Sequence, residues 1–192
     1  MELRPKIEKA DYPKRRIAYL EKIFKCVLEG DRKKAIKSGP DGFRTFLDSW
    51  YAYHRAGRFL NGRGYDQWFN RGDLRQERHR KTMRESSDSI FISVDAWEVL
   101  QGTKDGVDLV KDHAVPVSAL YDELIALKPK TIVDVEQHLL ERYQLGIITQ
   151  EENTRLNAKF RFKMPCGDRS IYARYNHSDV TIIRFERRTV SK

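Results

Sequence analysis

Two short polar clusters carry the residue types that bind a divalent metal ion and move a proton. The first is Asp112-His113, which follows the apolar residues Val107, Leu109 and Val110. An ionised aspartate can hold a divalent cation, and a neighbouring histidine can take a proton from water as a general base. Adjacent residues of a strand point to opposite sides, so the two side chains can serve different roles.

The second cluster consists of two asparagines, Asn153 and Asn157, four residues apart. On a helix this spacing places both side chains on one face. Their amide oxygens, opposed to the carboxylate of Asp112, would form a hard-ligand set suited to magnesium or manganese. In the competing interpretation, Asp112-His113 is a surface turn and the two asparagines are only a polar helix face.

The surrounding sequence predicts the elements that must position these residues. Residues 107–110 predict a strand that ends at the Asp-His pair, and Pro116 prevents its regular continuation. Residues 146–149, Gly-Ile-Ile-Thr, predict a second short strand. Thr149 precedes Glu152 at capping-box spacing, so we expect a helix with both asparagines to begin directly after that strand.

A family resemblance rests on residues 112–116 (Asp-His-Ala-Val-Pro) and 147–157 (Ile-Ile-Thr-Gln-Glu-Glu-Asn-Thr-Arg-Leu-Asn). Together these stretches resemble the HNH endonucleases of the ββα-metal class. The resemblance implies that His113 is the general base, that Asp112 is a metal ligand, and that Asn153 and Asn157 occupy the two helical ligand positions. It also implies phosphodiester hydrolysis assisted by one divalent cation.

The chain departs from the family pattern in three ways. Asparagines stand where histidines are commoner, which favours Mg²⁺ or Mn²⁺ over zinc. The middle asparagine of the family motif has no clear counterpart around Leu145-Gly146. The two halves are separated by a long insertion, residues 118–145, which predicts two helices with Ser118 and Thr131 as N-caps.

The charge of the chain favours a polyanionic partner such as nucleic acid. The formal net charge is +9, and 34% of the 192 residues are charged. A solvated basic surface is the alternative. The candidate nucleic-acid-binding residues are basic side chains between residues 57 and 72, where arginines alternate with aromatics, and others near the predicted site: Arg58, Arg63, Arg71, Lys159, Lys163, Arg169 and Arg174. The tyrosines and other aromatics within these stretches fit base stacking or burial equally well.

The order of predicted elements indicates an α+β fold that is predominantly helical. We expect a helical basic region at residues 1–85, which contacts DNA. Residues 86–192 are expected to form the HNH-like ββα-metal region, with the helical insertion at 118–145. The aromatic-rich stretch from Phe43 to His54 predicts a helix that packs on an earlier one beginning near Tyr12.

Composition also limits the cellular setting. No apolar segment approaches the length of a membrane span, and the first residues lack the apolar region of a secretory signal. Cys26 and Cys166 have no metal-binding spacing. We therefore expect a cytoplasmic protein with no membrane partner.

These observations together predict a metal-dependent endonuclease that hydrolyses DNA, of restriction or homing type, with Mg²⁺ or Mn²⁺ as cofactor. A homodimer would suit cleavage of both strands of a palindrome. Two alternatives remain open at this point. One is a non-catalytic nucleic-acid-binding protein that uses the same basic surface, and the other is a toxin-like nuclease that acts on RNA.

Overall fold

The computed structural model describes residues 9–36, 39, 42–54 and 90–183. In this part of the chain helices predominate and four short strands form one mixed sheet, so the expected α+β, predominantly helical class is confirmed. After a 3-10 turn at Lys9–Asp11, the elements are α1 (Tyr12–Glu29), α2 (Arg32–Ala35), α3 (Phe43–His54), β1 (Phe91–Ser93), α4 (Val94–Gln101), β2 (Leu109–His113), α5 (Val117–Leu127), α6 (Ile132–Arg142), β3 (Leu145–Thr149), α7 (Gln150–Phe160), α8 (Ala173–Asn176) and β4 (Ile182–Ile183). No described helix is both long enough and apolar enough to cross a membrane.

The chain divides into two compact units. The described part of the first unit comprises α1, α2 and α3 together with Val117–Tyr143, which contains α5 and α6. The described part of the second comprises residues 90–116 and 144–183, which contain the whole sheet, α4, α7 and α8. The helices between the two predicted strands therefore belong to the same unit as the N-terminal helices. The predicted boundary near residue 86 lies outside the described residues.

In the first unit, α1 follows the predicted limits. Its first turn contains Pro13, and it ends at Gly30, whose φ of 66° is the left-handed conformation that glycine adopts without strain. Leu20, Ile23 and Val27 form the buried stripe. Two other apolar residues of this helix, Ile17 and Leu28, are exposed.

The prediction that α3 packs on α1 is confirmed. The Tyr19 and Tyr53 rings are stacked with centroids 5.8 Å apart. The Tyr143 hydroxyl, just after α6, donates to Asp48 Oδ1 at 2.6 Å. This bond pairs two buried polar groups within the aromatic core.

An ion-pair network joins α5 to α6 in the same unit. Glu123 on α5 accepts two hydrogen bonds from the Arg142 guanidinium, at 3.0 and 2.8 Å. Its Oε2 also lies 3.1 Å from His138 Nε2. Burial alone would raise the pKa of Glu123, but the bonds from His138 and Arg142 outweigh burial and hold the pKa at about 2.

In the second unit, the strand order is β2-β3-β1-β4. The central pair, β1 and β3, is parallel, whereas the outer pairs β2–β3 and β1–β4 are antiparallel. β3 lies between β1 and β2, and its five residues are all buried. β4 comprises the last two described residues, Ile182 and Ile183, and Val180 is buried just before it.

Two of the three predicted N-caps are confirmed. Thr131 caps α6 and Thr149 caps α7, each in a capping box. The prediction for Ser118 is wrong, because α5 begins at Val117 and Ser118 lies buried inside its first turn. Pro116, with its fixed φ, directly precedes this helix and suits its start without a serine cap.

Candidate active site

The elements around the predicted site follow one another as strand, strand and helix. β2 pairs antiparallel with β3, in the register Asp112↔Gly146 and His113↔Leu145. α7 begins at Gln150, directly after β3, and the Gln150 amide donates to the Asp108 carbonyl at 2.8 Å. This is the order that the sequence predicts.

One face of this sheet supports an apolar cluster that includes Val110, Ile148 and, from α7, Leu156. Side chains two residues apart in a strand share a face, so Asp112 lies on the same face as Val110. Helix α7 therefore covers the face of the sheet from which Asp112 projects. Because Val110 and Asp112 point to the same face of β2, the apolar contact with α7 and the carboxylate lie on one side of the sheet.

The carboxylate of Asp112 is held by two residues near the C-terminal end of the described chain. The Tyr175 hydroxyl donates to Oδ2 at 2.5 Å, and Arg174 Nη1 lies 3.5 Å from the same oxygen. Arg174 Nη1 also donates to the His113 carbonyl at 2.9 Å. The Arg174 side chain is 2% exposed and that of Asp112 14%, so the ion pair is largely removed from water.

The protonation of Tyr175 is fixed by its surroundings. Burial, and next to it the negative charge of Asp112, raise the pKa of the Tyr175 hydroxyl well above its ordinary value. The hydroxyl therefore stays protonated at neutral pH and acts as a donor to Asp112. Its ring packs edge-on against Phe91, with centroids 5.0 Å apart.

Gly146 lies directly across the ladder from Asp112, and only glycine fits at this position. A Cβ added to Gly146 would overlap the Phe91 ring, which lies against the glycine backbone. An asparagine therefore cannot be accommodated at this position. The space that such a side chain would need is filled by Phe91.

His113 occupies a different environment from Asp112. It is 4% exposed, and as the next residue of β2 it projects to the opposite face of the sheet. A general base must reach the water molecule from which it takes a proton. In this arrangement His113 would need a local opening of the fold to do so, and its role stays a prediction.

The two asparagines share a helix face, as expected. Asn157 Nδ2 donates to Asn153 Oδ1 at 2.9 Å, and both residues are half-buried. No described group of three or more His, Cys, Asp or Glu side chains is arranged to hold a metal ion. Asp112 Oδ2 and Asn153 Oδ1 both already accept protein hydrogen bonds. A divalent cation at these two oxygens would have to share or displace the hydrogen bonds that Tyr175 and Asn157 donate.

The predicted nucleic-acid-binding residues fall into three groups. Lys159, Lys163 and Arg169 are exposed, and Lys159 Nζ donates to the His177 carbonyl at 3.3 Å. Arg174 is buried beside Asp112, so its charge stabilises the interior of this unit rather than its surface. The arginines expected to alternate with aromatics lie outside the described residues: Arg58, Arg63 and Arg71.

Sequence reasoning missed the partnership of Asp112 with Tyr175 and Arg174. No local signal marks it, since these residues are 63 and 62 positions from Asp112. The sequence fits Tyr172 and Tyr175 to a nucleic-acid-binding patch or to the core equally well, and in the structure both are buried. Comparison of the chain with protein-family models, with curated proteins and with solved structures finds no match.

Proposed function

We propose that this chain is an endonuclease of the HNH type that hydrolyses phosphodiester bonds of DNA. The observation that carries the proposal is the antiparallel β2–β3 pair followed directly by α7, with Asp112 on the face that α7 covers. The net charge of +9 supports a polyanionic substrate.

In this proposal, three exposed cations bind the substrate, and the Asp112–Tyr175 pair forms the centre of the site. Exposed Lys159, Lys163 and Arg169 bind backbone phosphates, as cations outside the core can. Asp112 supplies the negative charge at the centre of the site, and Tyr175 positions its carboxylate. A requirement for Mg²⁺ or Mn²⁺ belongs to the proposal, but we assign no step to the cation because Asp112 Oδ2 and Asn153 Oδ1 already accept protein hydrogen bonds.

The test is cleavage of supercoiled plasmid DNA by the full chain in Mg²⁺, Mn²⁺ or EDTA. We expect cleavage in one or both metals, none in EDTA, and loss of at least about 100-fold in Asp112→Asn if the carboxylate is needed for charge stabilisation. Asp105→Asn, an exposed aspartate in the same unit, serves as the matched control and should keep full activity. Undiminished cleavage by Asp112→Asn would show that the site is elsewhere.

A second candidate is a nucleic-acid-binding protein without catalysis. The pairing of Asp112 with Arg174 and the burial of His113 favour it, because both groups already serve the fold. In the same assay this protein would retard DNA without cutting it, and Asp112→Asn would bind as the wild type does. A labelled RNA in parallel tests the remaining alternative, a toxin-like nuclease.

A further inference from the structure

An aromatic ring projects into solvent directly after the end of α7. Phe162 is 63% exposed, the highest exposure after Leu28 among the large apolar side chains of the described residues. The guanidinium carbon of Arg161 lies 5.0 Å from the centre of its ring. Exposed Lys159 and Lys163 stand three residues before and one residue after Phe162. One large ring and three cations thus share a short stretch of chain.

The exposure of Phe162 contrasts with that of other rings in the described part of its unit. Phe91, Tyr172 and Tyr175 are all buried in the cluster under the sheet. Phe160, two residues earlier, is half-buried and packs against His177 with centroids 6.2 Å apart. Phe162 therefore contributes little to this core. A single exposed apolar residue is common on protein surfaces and does not by itself indicate a binding site. What distinguishes Phe162 is the group of cations beside it in the chain.

We propose that Phe162 stacks on an unpaired nucleobase while Lys159, Arg161 and Lys163 contact the adjoining phosphates. Aromatic rings stack on the faces of all four bases, and basic side chains alongside follow the charged backbone. In a duplex the base faces are covered by neighbouring bases. Segment 159–163 is then a binding site for single-stranded nucleic acid. This inference rests on the proposed function, in which the substrate is a nucleic acid, and it adds that the bound form is single-stranded.

The test compares three fluorescein-labelled oligonucleotides of equal length by anisotropy, with EDTA present to prevent cleavage. One is a single strand of mixed sequence, one is an abasic strand with the same phosphates, and one is a duplex. Phe162→Ala should weaken binding of the normal single strand by about 5- to 150-fold, the range expected when one base–aromatic stack is lost. Binding of the abasic strand and the duplex should change less than about two-fold, since their phosphate contacts remain.

Two further variants separate stacking from general damage. Phe162→Trp should retain binding of the single strand, and its indole fluorescence should be quenched by the normal strand but not by the abasic one. Val94→Ala, a partly exposed apolar residue of the same unit, should bind all three as the wild type does.

The outcomes distinguish this inference from the proposed function. An equal loss for normal and abasic strands, or no loss for Phe162→Ala, overturns the stacking site while nucleic-acid binding stands. If the wild type binds none of the three oligonucleotides, the proposed function fails and this inference fails with it.

Discussion

The hydroxyl of Tyr175 donates to Oδ2 of Asp112 across 2.5 Å, although the two residues are 63 positions apart in the chain. Asp112 ends the first strand of the candidate site, whereas Tyr175 lies on a short helix beyond α7. The orientation of the Asp112 carboxylate is therefore set by α8, which is not one of the three elements β2, β3 and α7. Arg174, the neighbour of Tyr175, supplies the balancing charge.

Tyr175→Phe removes this hydrogen bond and keeps the ring that packs against Phe91. We expect the free energy of unfolding to fall by about 1.5–3 kcal/mol, the range for hydrogen bonds to charged groups. Tyr172→Phe is the matched comparison, because the Tyr172 hydroxyl donates to the neutral amide oxygen of Gln144. That variant should lose only about 0.5–1.5 kcal/mol. Urea unfolding measures the free energy of unfolding of both variants. A larger decrease for Tyr172→Phe than for Tyr175→Phe would show that the charge of Asp112 does not strengthen its hydrogen bond.

Arg174→Met leaves the carboxylate of Asp112 without its counter-charge inside the second unit. We expect a loss of about 3–5 kcal/mol, as when one partner of a buried ion pair is removed. The double variant Arg174→Met/Asp112→Asn removes both charges and should recover part of that loss. The measurement is chemical unfolding of four proteins: the wild type, the two single variants and the double variant. Together they give the coupling free energy between Arg174 and Asp112. Additive effects would mean that the pair does not interact across its 3.5 Å separation.

Local signals predicted much of the candidate site from sequence. The spacing of Thr149 and Glu152 predicted the start of α7, since a capping box depends on residues three apart. The apolar residues Val107, Leu109 and Val110 before Asp112 predicted β2 from a similarly local signal. Such features need only neighbouring residues, so one sequence contains enough information to find them.

The remaining features depend on contacts between distant residues. The parallel pairing of β1 with β3, which joins Phe91 to Gly146, has no signal in either segment alone. The burial of His113 likewise follows from what covers its face of the sheet, not from its neighbours in sequence. Arg174 illustrates the same limit, because a basic residue near a candidate site fits a phosphate contact or a buried ion pair equally well until its partner is known.

The ion-pair network of Glu123 predicts how stability depends on pH in the first unit. The folded-state pKa of Glu123 is about 2, below its ordinary value of 4.5. A lowered pKa in the folded state stabilises the fold above the ordinary value, and this contribution is lost as pH falls through the folded value. After allowance for its partial exposure, we expect about 1–2 kcal/mol of stability to disappear between pH 5 and pH 2.

Glu123→Gln is the variant that tests this dependence. It should be less stable than the wild type at pH 7, and the difference should shrink as the pH approaches 2. Glu141→Gln, an exposed glutamate on the same helix as Arg142, is the control and should show no such trend. Unfolding midpoints in urea across this pH range provide the measurement. A difference that stays constant with pH would show that the charge of Glu123 does not stabilise this unit.

The buried carboxylate of Glu152 connects the starts of two helices. Its Oε2 accepts from the Thr149 amide at 2.7 Å within the α7 capping box, and from Ser93 Oγ at 2.6 Å. Ser93 Oγ in turn accepts from the Ala96 amide at 3.1 Å and so caps α4. Glu152 is only 2% exposed, and Glu152→Ala leaves both buried donors without this acceptor. We therefore expect the free energy of unfolding to fall by about 2–4 kcal/mol.

The adjacent glutamate provides the control for this prediction. Glu151 is exposed and pairs only with Arg155 one turn later, so Glu151→Ala should change stability by no more than about 0.5 kcal/mol. Glu152→Gln keeps one acceptor oxygen and should fall between the wild type and Glu152→Ala. Thermal and urea unfolding measure the order of the three variants. Equal stability of Glu151→Ala and Glu152→Ala would mean that the two helix starts do not depend on the buried carboxylate.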